Sequence, residues 1–503
     1  MSREPALPGS APLPADRAEG TVSGAWLMAL LLSGCAFTPG YNAPRVVPPS
    51  ASVATAATTN TPLFDSLARA GQLAAPLPPG ATFDATGALA LAWLDVMRDT
   101  TLVRLVRTAL QDNQEIHGAI ARVNEYRAIA GSARSHLLPE LDANASVSTN
   151  QVVFGGSPPT AYRAVRATAD LQWELDFWGR IRKGVAASEA DLAARSSDEQ
   201  AIALTLVADV ANAYLELLEA REDRELAQRA LASRQATLGL ARQRFAQGVI
   251  SELDVRQFEA DVAGAASSVA QFTRVASQQE HALSLLLGHP PGPLAGGGTL
   301  DVAITAAAVP DSIPAAMLLR RPDVMSAERA LAAEQARIGA TRAAILPRFL
   351  ITGDYGRQAP NAADLFGSDH EIYTLQLGVS VPLFAGGRAG SELAAARARI
   401  DQARARYEQV VLRALSEAAD ALVGVRSDRE QLAALTAQAN ALRQAYRLAE
   451  RRYQGGIASY LEVLEAQRGL FASELAVTQG RRVYLEATVR LYQALGGRWT
   501  GAP

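Results

Sequence analysis

At 503 residues the chain is long enough for several ordinary domains, and 48 basic residues against 51 acidic ones leave a formal charge of −3. That balance excludes the basic surface that nucleic acid requires. Five scattered histidines and a single cysteine offer no metal-ligand spacing, and phosphate loops, nucleophile elbows and HExxH motifs are absent, so no metal, cofactor or catalytic centre is expected.

Near the start, Trp26-Leu27-Met28-Ala29-Leu30-Leu31-Leu32 is an apolar run too short to span a bilayer as a helix but suited to the core of a secretory signal. No Lys or Arg directly precedes it. Leu32-Ser33-Gly34-Cys35 follows and resembles a bacterial lipobox, which implies that Cys35 becomes the lipid-carrying first residue of the mature protein. Ala36 rather than Asp comes next, which by resemblance to enterobacterial lipoproteins implies outer-membrane sorting. Residues 1–34 read as a signal segment and 35–95 as an extended tether, rich in Pro and small polar residues. Beyond Cys35 there is no run of about 18 consecutive apolar residues. A mature chain that crosses a membrane must then do so as a closed β-barrel, in which every backbone polar group finds an internal partner.

The first large unit, 96–288, opens with helical sequence from Asp99 to Leu137, where Leu102, Leu105, Val106, Ala109 and Leu110 recur at helical spacing. Pro139 ends it, and the period switches to two. Leu141, Ala143, Ala145, Val147 and Thr149 alternate with polar residues, and Gly155-Gly156-Ser157-Pro158-Pro159 makes a turn. Val165, Ala167, Ala169, Leu171, Trp173 and Leu175 line one face of a second strand, which completes a hairpin over 140–176. A Pro-free stretch rich in Ala, Leu, Arg, Glu and Gln predicts one long helix from Lys183 to Gln247. A turn at Gly248-Val249 and a return helix from Ser251 to Leu287 follow, with Ser251 as cap.

A linker, 289–314, leads to a second unit, 315–497, and a tail, 498–503. The second unit copies the first. Leu138-Pro139 falls on Leu346-Pro347, Gly179-Arg180 on Gly387-Arg388, Gly248 on Gly456 and Leu287-Gly288 on Leu495-Gly496, always with one shift (388 − 180 = 208). The copy predicts a hairpin over 348–383, a long helix from Ala389 to Gln454, a turn at Gly455-Gly456-Ile457 and a return helix from Ser459 to Leu495, with Ser459 as cap. The fold class is therefore mixed α and β, internally duplicated, with long antiparallel helices and four strands.

Tyr373, Leu375, Leu377, Val379, Val381 and Leu383 mark one face of the last strand, at the positions equivalent to Val165 through Leu175 (373 − 165 = 208). A slip of one residue would invert every face, so matched parity turns both hairpins' apolar sides to one medium. Alternation of this kind fits either a half-buried sheet on a soluble core or a transmembrane barrel around water. Four strands cannot close such a barrel, whose smallest bacterial forms have about 8, so a barrel requires an oligomer. Trp173, Trp178 and Tyr373 lie near strand ends, where an interfacial aromatic belt or plain packing would place them.

Four further stretches carry a likeness. They are Cys35 to Pro44, with Pro39 and Tyr41; Ala92-Trp93-Leu94 with Asp99 and Leu102; Arg320-Arg321-Pro322-Asp323-Val324 with Ala327-Glu328 and Leu346-Pro347; and Val381-Pro382-Leu383-Phe384-Ala385-Gly386-Gly387-Arg388. In this order and with the shared shift, they resemble the TolC family of outer-membrane efflux factors, in its NodT-type lipoprotein branch. The resemblance implies a homotrimer in which the strands form a 12-stranded transmembrane β-barrel, four from each chain, and the coiled helices form an α-barrel across the periplasm. It implies a periplasmic adaptor protein and an inner-membrane transporter, commonly of the resistance-nodulation-division type, as partners, with outer-membrane lipid around the barrel. The chain itself would be a passive conduit.

The same resemblance places a gate at the helix tips. Gly456-Ile457-Ala458-Ser459-Tyr460-Leu461-Glu462-Val463-Leu464-Glu465 resembles the family's periplasmic aperture, with Glu462 and Glu465 at the ring of acidic residues. Arg452 and Tyr453 stand where the family holds neighbouring helices shut. Asp254 is the first-unit counterpart of Glu462 (462 − 254 = 208), while Gln257 replaces the second acid. Gly248 and Gly456 mark the tips an adaptor would grip.

Two other classes compete. A non-pore periplasmic lipoprotein, a helical spacer tethered by Cys35, would be water-soluble once its lipid is removed. An envelope hydrolase would need Glu189, Asp191, Glu216, Glu219 or Glu222 to act in pairs, but they lie on helical sequence without convergent His or Ser. The sequence names no cargo; without His/Met clusters a channel wall specialised for metals is disfavoured.

Overall fold

The computed structural model describes residues 99–152, 159–294, 296–300, 318–457 and 459–497. The expected signal segment, Cys35 with its tether, most of the linker and the tail lie outside the described residues.

The first unit comprises α1 (Thr100–Asp112), α2 (Gln114–Ser135), β1 (Glu140–Val152), β2 (Thr160–Leu175), α3 (Arg180–Ala246) and α4 (Glu252–Leu286). The second comprises α5 (Pro322–Ala343), β3 (Arg348–Ala359), β4 (Glu371–Ser380), α6 (Arg388–Gln454) and α7 (Tyr460–Ala494). The duplication holds to the residue in the helices. Helices α2, α3 and α4 recur as α5, α6 and α7 after the same shift (322 − 114 = 208; 454 − 246 = 208). With 67 residues each, α3 and α6 reach about 100 Å. Each packs against its return helix, α4 or α7.

The helix expected from Asp99 to Leu137 is broken in two. Asn113 leaves the helical region (φ −69°, ψ 130°), and its side-chain oxygen accepts from the Glu115 and Ile116 amides. Its Nδ2 donates to the Leu286 carbonyl at 2.9 Å, which ties the break to the end of α4. An Asn can serve both as the C-cap of one helix and the N-cap of the next, so the apolar periodicity runs on across the interruption. The two caps expected of Ser251 and Ser459 also differ. Ser251 caps α4 in a full capping box with Asp254, whereas Ser459 stands at the N-cap of α7 without a side-chain cap bond.

The four strands make one antiparallel sheet in the order β1-β2-β3-β4, so the second hairpin lies beside the first and both outer edges are open. Register keeps the faces intact across all four. Leu141 stands opposite Leu171, Leu171 opposite Gly353, and Gly353 opposite Leu375. One residue along, Asp142, Asp170, Asp354 and Thr374 form the matching row on the other face. The apolar row is left bare. On the two edge strands, Leu141 of β1 is 70% exposed and Leu375 and Leu377 of β4 are 74% and 67% exposed, although alternation of this kind usually marks a buried face.

The main core lies where α1, α3, α4 and α7 meet, around Leu102, Val106, Val210, Tyr214, Leu283 and Tyr492. Helix α3 is long and apolar enough, by composition, to cross a membrane, but more than half of its apolar stretch is buried in this core.

Candidate functional site

The site expected from the sequence sits at the ends of α3 and α6 remote from the sheet. Both helices stop in the same way. Gly248 (φ 72°) and Gly456 (φ 73°) adopt the left-handed conformation that L-residues disfavour. The Gly248 amide donates to the Phe245 carbonyl and the Val249 amide to that of Arg244; Gly456 and Ile457 repeat the pattern onto Tyr453 and Arg452. This pair of bonds satisfies the last carbonyls and reverses the chain. No atom lies within 4 Å of a Cβ built on either glycine, so backbone conformation rather than crowding selects glycine here.

The two tips share a core. Leu238, Ala241, Val255 and Phe258 from the first unit pack with Ala449, Tyr453, Tyr460, Val463 and Leu464 from the second. The Phe258 and Tyr460 rings lie 3.6 Å apart, the Tyr453 ring meets Tyr460 edge-on at 5.9 Å, and the Arg244 guanidinium sits 4.7 Å over Tyr453. Tyr453 is therefore an intrachain packing residue in the protomer.

The acidic residues separate into different roles. Asp254 accepts from the Ser251 amide (2.9 Å) and hydroxyl (2.8 Å), which commits it to its own helix start. Glu462, its counterpart, instead pairs with Arg452 across the tip turn at 3.4 Å, with both side chains about half exposed. Glu465 is exposed and has no ion-pair partner among the described residues. Three residues apart, Glu462 and Glu465 share one face of α7. The structure thus brings Arg452 and Glu462 together, keeps Glu465 free, and withdraws Asp254.

A second polar contact at the tips was not legible as functional in the sequence. Asp261 of α4 is only 6% exposed and accepts from Arg468 of α7 at 2.7 Å, with the Tyr460 hydroxyl at 3.4 Å. Burial, and then the Asp261 charge, push the Tyr460 phenol well above its ordinary range. Asp261 falls on the stripe that holds Val255, Phe258 and Ala265, and an acid on an apolar stripe was the available signal. Its counterpart 208 positions on is Gly469, so the contact exists in one unit only.

Exposed apolar residues repeat at the tips. Val249 and Leu253 on the first tip, and Ile457 and Leu461 on the second, are each between 64% and 75% exposed. At the other end, the polar face of the sheet carries an Arg166–Asp354 ion pair at 2.7 Å and an Asn144–Asp170 hydrogen bond at 2.5 Å. Trp178 donates to the Pro347 carbonyl and Trp173 to that of Leu137, so both indoles are anchored where the strands meet the helices, and Tyr373 is 78% exposed on β4.

The outer membrane efflux protein family matches this chain twice, over residues 105–289 and 313–497, two stretches again related by the internal shift (313 − 105 = 208). The antibiotic efflux pump outer membrane protein ArpC of Pseudomonas putida is 32% identical over 486 residues, covering 94% of each chain. Outer membrane protein OprJ of Pseudomonas aeruginosa is 31% identical, covering 94% of this chain and 95% of its own. Among solved structures, the outer-membrane channel OprN superposes with a TM-score of 0.78 at 28% identity, over 93% of this chain and all of that one. The open-state MtrE channel of Neisseria gonorrhoeae gives a TM-score of 0.76 at 27% identity, over 92% and 98%. Duplicated helical hairpins, an apolar-faced sheet and these likenesses agree: the chain belongs to the outer membrane efflux protein family, the outer-membrane channel components of efflux pumps.

Proposed function

We propose that three copies of this chain form a passive conduit from periplasm to exterior, powered by an inner-membrane transporter of the resistance-nodulation-division class through a periplasmic adaptor. The observation that carries this reading is the bare apolar face of an open-edged sheet. Water penalises such a face, and lipid accepts it only if the edges are paired. Three sheets of four strands, joined β4 to β1, supply a closed 12-stranded barrel with the row of Asp142, Asp170 and Asp354 toward its lumen. Lipid on Cys35 would add an anchor at the same membrane, after removal of residues 1–34.

The tips form the periplasmic aperture in this reading. Glu462 and Glu465 from three chains concentrate negative charge in a throat and favour cations. Tyr453 and the Asp261–Arg468 contact hold the second-unit tip against the first, and Arg452 pairs with Glu462 across the second tip's own turn. The turns at Gly248 and Gly456, with the exposed pairs Val249/Leu253 and Ile457/Leu461, offer the adaptor a repeated apolar footing.

Single-channel recording of the detergent-extracted protein in planar bilayers tests the reading. Cation-selective pores are expected, with selectivity reduced in Glu462→Gln/Glu465→Gln. Selectivity unchanged in that variant would remove the acidic throat and keep the conduit. Folded, water-soluble protein without conductance would leave the tethered spacer instead.

A further inference from the structure

Past the end of β3 the chain folds back over the sheet. Ala362–Asp364 make a single turn of 3-10 helix, with the Asp364 amide donating to the Asn361 carbonyl at 3.2 Å and the Gly367 amide to the Asp364 carbonyl at 2.9 Å. Leu365, next after that turn, is only 9% exposed and packs on Val165 of β2 and Ala359 of β3, which face each other in the sheet, beside Ala167. Val165 and Ala167 share the face of Leu171, so the loop lies on the apolar side. Arg357, on that same side, fastens it by donating to the Gly367 carbonyl at 2.6 Å. A Cβ at Gly367 would stand 3.2 Å from the Asp364 carbonyl oxygen and 3.3 Å from the His370 ring, so the turn is tight. Phe366 lies between the seated Leu365 and the tethered Gly367, yet it is 83% exposed.

The rows of the sheet give the loop its height. Going away from the helices, the apolar side of β3 and β4 carries Phe349 opposite Val379, Ile351 opposite Leu377, Gly353 opposite Leu375 and Tyr355 opposite Tyr373. The next row is Arg357 opposite Glu371, so charge replaces apolar side chains one row beyond the tyrosines. A lipid-facing band of ~25 Å on strands tilted about 40° takes up about 10 residues of strand. Counted along β2 from Leu175, beside the helices, that band ends at Val165, where Leu365 sits (175 − 165 = 10). Arg163, exposed on the same side, falls just outside it. Both counts set the folded-back loop at the outer edge of the band.

We infer that this loop is an interfacial anchor, in which Phe366 enters the boundary between acyl chains and headgroups in the outer leaflet. The inference deepens the lipid-facing sheet proposed above and rests on it. An aromatic ring at that depth gains apolar burial without carrying charge into hydrocarbon. The Leu365 seat and the Arg357 bond order the loop before it meets lipid, which lowers the entropic cost of insertion. The first hairpin lacks these side chains, because Ser157 and Pro158 stand 208 positions before Leu365 and Phe366 (365 − 157 = 208). Each chain therefore contributes one such anchor, and the assembled ring is held at its outer edge once per copy.

The test attaches a bimane to the full chain through Phe366→Cys and reads its quenching in phosphatidylethanolamine/phosphatidylglycerol vesicles. These carry a doxyl group either near the headgroup or deep in the acyl chain. Leu375→Cys is the mid-bilayer reference, Val249→Cys at the tip the aqueous one, and the unsubstituted chain, with Cys35, the background. The shallow quencher should act at residue 366 about twice as strongly as the deep one, with the order reversed at 375 and no effect at 249. Quenching at 375 but none at 366 overturns the anchor and leaves the conduit standing. No quenching at 375 overturns the lipid-facing sheet and the anchor with it. Chiefly deep quenching at 366 overturns its place at the boundary. Leu365→Asn combined with Phe366→Cys should lose about half of the shallow quenching, and an unchanged value overturns the role of the Leu365 seat.

Discussion

Asp223 shows how a single residue couples this scaffold to pH. It lies on α3 with Glu219 and Glu222, facing α7, where Arg482 bonds both Glu219 and Glu486 at 2.5 Å. One Asp223 oxygen is buried without a hydrogen-bond partner. Burial first, and then the Glu219 and Glu222 charges, push its carboxyl up to about 7. The unfolded chain releases that proton near pH 4 and the folded chain near 7, so stability falls as pH rises between those values. Water reaches part of the cluster, and screening cuts the effect to about 2 kcal/mol. Asp223→Asn should therefore unfold at higher temperature than wild type at pH 8, with the gap closing toward pH 4. An equal gap at both pH values would show that the carboxyl does not titrate there.

The Asp261–Arg468 pair at the tips obeys a different rule, because only one partner is buried. Arg468 has a side chain 62% exposed, whereas that of Asp261 is 6% exposed. Removing the arginine strands a buried carboxylate; removing the carboxylate leaves an arginine that water can solvate. Arg468→Gln is expected to lower stability by about 1–3 kcal/mol, and Asp261→Asn by less. Denaturant unfolding of the two variants reports the order, and a larger loss for Asp261→Asn would contradict the assignment of the buried partner.

Among the elements, the strands and long helices were legible because their periods are strong and occur twice, but β4 ends at Ser380, ahead of Pro382, and leaves Val381 and Leu383 of the expected face outside the strand. Tyr373 through Val379 mirrored Val165 through Leu171, and the observed register keeps both rows on one face. Helix α3 begins at Arg180 rather than Lys183 because Asp176 accepts from the Ile181 and Arg182 amides, which a composition-based boundary does not register. The break at Asn113 was hidden for a related reason. Periodicity reports which face is buried, and that face continues from α1 into α2. At the tips, the turns at Gly248 and Gly456 were legible because local chemistry fixes them, whereas Glu462 and Arg452 were singled out only by the family resemblance. Asp261 was not legible, because its partners lie on a helix some 200 residues away. Asn113 now carries a prediction of its own. Its oxygen caps α2 and its nitrogen reaches Leu286, so Asn113→Ala leaves both sets of backbone groups unsatisfied at a site only 6% exposed. A loss of about 2 kcal/mol is expected, and Asn113→Asp should restore the cap without the bond to Leu286. Thermal melts that rank alanine above aspartate would refute the capping role.

At the scale of the whole molecule, the sheet separates a membrane channel from a soluble spacer, because the two assign opposite roles to one strand. On β4, Leu375 is 74% exposed and stands opposite Gly353 on the apolar face. Its neighbour Thr374 points to the other side, opposite Asp354. If the apolar face meets lipid, arginine at Leu375 places a charge near the bilayer midplane at a cost of about 2–4 kcal/mol per chain. Arginine at Thr374 would instead enter a water-filled lumen beside a carboxylate and cost little. The recovery of full-length protein in isolated outer membranes should then fall sharply for Leu375→Arg and stay near wild type for Thr374→Arg. A soluble sheet with its apolar face in water makes the reverse ranking natural. There, arginine at an exposed leucine relieves an apolar surface, and the change at Thr374 disturbs the Asp354 neighbourhood. Equal recovery of the two variants would remove the lipid-facing sheet on which the barrel depends.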